Sequence, residues 1–142
     1  MADSVLIIGG EPDFQERLRL SLTEAGYEVT LAYNCISSRM IIEDFVPDII
    51  ILDEVHQNGI DSFAVCKHLH DDYGIPVILL GEDSSDEVWE RVMEVEADLY
   101  LIKPFSYREL VARVRAILRR YKGRQCDRKK ESNRATYISD LD

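Results

Sequence analysis

Cysteine is scarce in this chain. Cys35, Cys66 and Cys126 are odd in number and include no CxxC pair, so neither a disulfide framework nor a zinc site is indicated. Long apolar runs are missing as well: none approaches the roughly 20 residues that a membrane span requires. The opening MADSVLIIGGEPD has no basic region, and its apolar stretch is too short for a signal peptide. The expected location is the cytoplasm, with no membrane partner. His68 and His70 stand two apart, a spacing that points them in different directions on a helix, and no third ligand lies nearby. Basic residues are few over most of the length. Residues 1–106 carry 6 basic and 22 acidic side chains, residues 107–135 carry 11 and 3, and the last seven add two more acids. Phosphate contacts need clustered Lys and Arg, so the acidic body argues against nucleic-acid binding by the domain itself. A GxGxxG loop and a Ser/His/Asp constellation are both absent, which leaves little for a dinucleotide-binding or hydrolytic reading, and no enzyme is expected.

What is present is a regular alternation. Val5–Ile8 is a short apolar run closed by Gly9-Gly10 and reads as a buried strand. A helix follows, with Phe14, Leu18, Leu22 and Ala25 at helical spacing, Pro12 in its first turn and Gly26 after its end. Glu28–Ala32 is a second strand, and Asn34 caps a helix from about Cys35 to Phe45. Asp48–Leu52 is almost wholly apolar, as expected at the centre of a parallel sheet covered on both faces. A polar loop from Asp53 to Ile60 leads to a helix capped by Asp61. Ile75–Leu80 is the fourth strand, Asp86–Glu96 a helix, Asp98–Ile102 the fifth strand, and Ser106 caps a last helix through Tyr121. Strands alternating with helices through short connections imply a doubly wound α/β fold with a five-stranded parallel sheet. In such sheets function collects at the carboxyl ends of the strands, where Gly9, Gly10, Asp53, Gly81 and Lys103 all fall. From Lys122 the composition turns polar, so residues 1–121 are expected to form one domain and 122–142 a mobile linker.

VLIIGGEPD, DIIILD, PVILL and ADLYLIKPFSYRELVARVRAILRR, in this order and at these spacings, resemble the receiver domain of two-component response regulators, over about residues 3–121. The resemblance implies the CheY-like fold with strand order 2-1-3-4-5. It also implies a phosphoacceptor at Asp53, served by a histidine kinase, a phosphate-contacting lysine at Lys103 and a cis bond from Lys103 to Pro104. A carboxylate nucleophile of this kind needs a divalent cation, Mg2+ in this family, to offset the incoming charge.

Three departures stand against that chemistry. Gly9 and Gly10 occupy the positions of the family's two metal-binding acids. Of its usual ligands only Asp53 and the Val55 carbonyl remain, with Glu11 one place along, so no metal or other cofactor is expected. Gly81 stands where the family has Thr or Ser, which deprives Tyr100, the match to the aromatic switch residue, of a hydroxyl partner. The loop DEVHQNGID has Gln57 in place of a proline and an apparent insertion. KPF and the long helix after it look most like OmpR/PhoB-type regulators, which carry a winged-helix DNA-binding domain. Their two-fold dimer face, on the fourth helix, fifth strand and fifth helix, is matched here by Asp98, Glu109, Arg113 and Arg120. The expectation is an atypical receiver that dimerises and positions an effector missing from this chain, with DNA contacted only through that effector. The alternative is a conventional receiver phosphorylated on Asp53.

Overall fold

The computed structural model describes residues 2–44, 46–54, 61–95 and 97–130. Five strands alternate with five helices: β1 (Ser4–Ile8), α1 (Pro12–Glu24), β2 (Glu28–Ala32), α2 (Cys35–Asp44), β3 (Ile49–Asp53), α3 (Ser62–Tyr73), β4 (Val77–Gly81), α4 (Asp86–Val95), β5 (Leu99–Ile102) and α5 (Tyr107–Lys130). All pairings are parallel, and the sheet order is β2-β1-β3-β4-β5.

Side chains alternate across each strand, and the sheet therefore sorts them into two cores. Leu6, Ile8, Ile50, Leu52, Val77 and Leu79 face Phe63, Cys66, Leu69 and Val92, which come from α3 and α4. Val5, Ile7, Ile49, Ile51, Ile78 and Leu80 face Leu18, Leu22, Leu110, Val114 and Ile117, from α1 and α5. Most of these side chains have no solvent exposure. Each contributes about 1.5–3 kcal/mol of transfer free energy, which outweighs the weak propensity of such short strands. Burial also silences a thiol: enclosure first, and the Asp98 charge second, push Cys66 up to about 12.

The helix starts follow capping chemistry. Asn34 Oδ1 accepts from Ser37 N–H at 3.0 Å, Asp61 Oδ1 from Phe63 N–H at 3.0 Å and Ser106 Oγ from Glu109 N–H at 2.9 Å. Pro12 takes the first position of α1. Two element limits differ from the sequence expectation by more than one residue. β4 begins at Val77 rather than Ile75, because Pro76 has no N–H to give to a ladder. The last helix does not stop at Tyr121 but runs to Lys130, into the segment expected as a mobile linker. The segment is polar, yet Lys, Arg and Gln are good helix formers. Without a proline, the cost is about 1 kcal/mol for Gly123. Val55, Gln57 and most of the loop after Asp53 lie outside the described residues, as do residues 131–142; of the side chains of Cys35 and Cys126 nothing is described.

Candidate functional site

β1 and β3 are neighbours whose following helices lie on opposite faces of the sheet, so a crevice opens at their carboxyl ends. Ile8 is in register with Leu52, which sets the turn after β1 beside Asp53. That turn is made by Gly9 (φ 82°) and Gly10 (φ 100°), a conformation L side chains rarely adopt. Gln15 Nε2 donates to the Gly9 carbonyl at 2.8 Å and to the Ala32 carbonyl at 3.0 Å, which ties the turn to α1 and β2.

Asp53 is the last residue of β3, not the first of a loop, and is completely buried. Lys103 Nζ lies 2.7 Å from its Oδ2. The same ammonium sits 4.7 Å from the centre of the Phe14 ring, a cation–π contact. Phe14 in turn meets Phe105 and Tyr107 at ring distances of 6.1 and 5.8 Å. The peptide bond from Lys103 to Pro104 is cis. A Cβ on Gly10 would stand 3.1 Å from Asp53 Oδ2 and 3.3 Å from Phe14. Bare backbone and an aromatic ring therefore close the crevice side of the Asp53–Lys103 pair.

On the other side lies Glu54, which sequence reasoning passed over. Its Oε2 is buried without a hydrogen-bond partner among the described residues. Burial, followed by the charges of Asp53 and Asp83, holds the Glu54 carboxyl above its ordinary range. This carboxylate fills space left by Gly81: a Cβ there would stand 2.7 Å from Glu54 Oε2. Tyr100 fills the rest. It is buried, its hydroxyl donates to the Asp83 carbonyl at 2.9 Å, and burial with the nearby Glu54 charge pushes it up to about 12. A carboxylate at the position after an acidic strand end was the available signal for Glu54. No signal linked Phe14 to Lys103, 89 residues apart in sequence.

The described residues do not fit a magnesium site. Gly9 and Gly10 offer no carboxylate, and the Gly9 carbonyl already accepts from Gln15. Glu11 is an exposed residue at the head of α1. Asp53 Oδ2 faces Gly10 and Lys103, whereas Glu54 Oε2 faces Gly81. Among the described residues no three Asp, Glu, His or Cys side chains are grouped as metal ligands would be. Such a cation usually takes near-octahedral oxygen coordination that includes one or two carboxylates.

The charged residues expected on a dimer face are placed unequally. Glu109 and Arg113 are exposed on α5, 3.8 Å apart, and Arg120 is exposed further along. Asp98 is engaged within its own chain: Oδ2 accepts from Val77 N–H at 2.9 Å and Oδ1 from the Tyr121 hydroxyl at 2.7 Å. Among the described residues, no helix is long and apolar enough to cross a membrane.

Residues 5–115 match the family model of the response regulator receiver domain. A crystal structure of a two-component response regulator from Clostridium difficile superposes with a TM-score of 0.77 at 32% identity, covering 84% of this chain and 98% of that one. The receiver domain of TorR, response regulator of the TMAO respiratory system, superposes with a TM-score of 0.76 at 29% identity, with coverage of 83% and 98%. A CheY-like receiver domain protein from Methanospirillum hungatei gives a TM-score of 0.79 with coverage of 87% and 99%; at 19% identity it speaks for the fold alone.

Proposed function

Since this chain belongs to the response regulator receiver family, we propose that it works as an atypical receiver whose output does not depend on magnesium-assisted phosphorylation of Asp53. The observation that carries this reading is the glycine backbone of Gly9 and Gly10 beside Asp53, which offers no carboxylate to a cation. Lys103, the cation beside the acceptor, is already neutralised by Asp53 at 2.7 Å and packed on Phe14. An incoming phosphoryl group would bring further negative charge to a place that holds Asp53 and Glu54, with glycine backbone where acidic metal ligands would stand. Without a cation to offset it, that charge is repelled.

Output then passes through assembly. Glu109, Arg113 and Arg120, exposed on α5, support a two-fold dimer through the α4–β5–α5 face, of the OmpR/PhoB kind. Exposed pairs are worth about 0–1 kcal/mol each, so they set register more than affinity. In this reading residues 1–121 are the receiver, the segment from Lys122 leads to a transcriptional effector, and DNA is touched only through that effector. The stretch up to Lys130 does so as a helix, a stiffer coupling than a coil.

Incubation with acetyl phosphate and magnesium, followed by intact-mass measurement, tests the proposal. The expected result is no stoichiometric phosphoryl adduct; an adduct that disappears in Asp53→Asn would overturn it. The conventional alternative, in which a histidine kinase phosphorylates Asp53, draws support from Asp53 and Lys103 standing together, and the same measurement decides between them. Sedimentation of the wild type against an Arg113→Glu, Arg120→Glu variant tests assembly: a monomeric wild type would end the dimer reading.

A further inference from the structure

Gly81 ends β4 with ordinary strand backbone, bonded into the sheet opposite Ile102, and its φ is not positive. Nothing in the main chain there requires glycine. The requirement comes from space. A Cβ would stand 2.7 Å from Glu54 Oε2, 3.0 Å from Tyr100 Cε1 and closer still to the Tyr100 hydroxyl. Two side chains therefore occupy the volume that a side chain at position 81 would take.

From Tyr100 the contacts continue outward. Its hydroxyl holds the Asp83 carbonyl, in the turn that leads into α4. Its ring meets Trp89 edge-on at 5.2 Å and Phe63 at 6.4 Å. Arg91 stacks 4.3 Å over Phe63 and grips both oxygens of Asp61, 2.7 and 2.6 Å away, at the head of α3. Turn, α4 and the start of α3 thus rest on one buried tyrosine.

The geometry points to a built-in lock: the absent side chain at Gly81 is a socket that holds Tyr100 inside, and thereby keeps the β4–α4 turn and the Trp89 face of α4 in one arrangement whatever the state of Asp53. The packing relation stands by itself; only its signalling consequence rests on the reading of Asp53 given above. The atoms that a Cβ would meet belong to the side chains of Tyr100 and Glu54 and not to the main chain, so an alanine displaces these two side chains rather than the sheet.

Trp89 is the sole tryptophan and therefore an unambiguous reporter. Emission and near-ultraviolet circular dichroism are compared for the whole chain as wild type, Gly81→Ala, Tyr100→Leu and the double variant. Each single change is expected to move Trp89 emission to longer wavelength, and the double to add nothing, because Gly81 acts through Tyr100. An unaltered spectrum in Gly81→Ala, or fully additive shifts, would overturn the lock. If Gly81→Ala does not fold alone, Tyr100→Leu must restore folding in the double; failure to do so also overturns it. Beryllofluoride with magnesium supplies the last arm, since its attachment to Asp53, read by fluorine resonance, defeats the reading of a silent acceptor but not the lock. In the labelled protein an unchanged Trp89 spectrum upholds the lock, and a changed one removes it.

Discussion

Asp53 and Lys103 form an ion pair of 2.7 Å whose members are unequally buried: the carboxylate has no exposure, whereas the lysine side chain retains 19%. The two truncations are therefore not equivalent. Lys103→Met leaves a buried carboxylate without its cation and is expected to cost about 3–5 kcal/mol, whereas Asp53→Asn leaves a lysine that can still reach water and costs about 1 kcal/mol. Urea denaturation at neutral pH measures both. Equal losses would show that the pair is solvated and the site open.

Glu54 provides a pH test whose sign follows from its environment. Burial, then Asp53, then Asp83 raise its carboxyl above 4.5 in the folded protein. The folded state thus holds the proton more tightly than the unfolded one, and this group contributes a loss of stability as pH rises from the unfolded carboxyl value through the folded one. Glu54→Gln does not titrate. Its stability relative to wild type is expected to be smallest in acid, to grow across that window and to level off above it. A thermal-unfolding series in which the difference is flat, or shrinks with rising pH, contradicts the placement of this carboxylate.

Restoring an acid after β1 is not expected to restore a metal site. Gly10→Asp would carry its side chain at φ 100°, with its Cβ 3.1 Å from Asp53 Oδ2. Backbone strain alone costs about 1–3 kcal/mol, and repulsion between the two carboxylates adds to it. Lower stability that magnesium does not recover is the expected result. A rise in melting temperature on titrating magnesium into the variant would mean that the turn can rearrange into a cation cage.

The clamp between α3 and α4 depends on guanidinium shape. Arg91 meets both Asp61 oxygens and the Phe63 ring, and the pair draws the Asp61 carboxyl below its ordinary range even though partial burial pulls the other way. Lysine is a compact cation without the planar fork. Arg91→Lys and Arg91→Ala are therefore expected to lose a similar amount, about 1 kcal/mol for a half-exposed pair of this kind. Denaturation midpoints that leave Arg91→Lys at the wild-type value would reduce the contact to charge alone.

Much of the fold was legible along the chain because its causes are local. Asp48–Leu52 reads as a central strand since all but its first residue are apolar, and Asn34, Asp61 and Ser106 announce helix starts because each caps amides two or three residues away. The alternation of strands with helices fixes a parallel sheet, which in turn sets Gly9, Asp53, Gly81 and Lys103 at one end of it. The end of α5 was not legible: low hydrophobicity was read as a linker, whereas helix propensity is a separate quantity.

By itself, then, the sequence determined the order of elements and the position of the crevice, which follow from periodicity and capping, while the residue types missing from the crevice were read only against the resemblance to receiver domains. Tertiary structure alone decided which groups fill the gaps. Phe14 comes under Lys103, Tyr100 and Glu54 into the space beside Gly81, and Asp98 turns inward to Val77 and Tyr121. These partners meet across different strands and helices, where register and side-chain volume select the contact and nothing in the spacing of neighbouring residues records it.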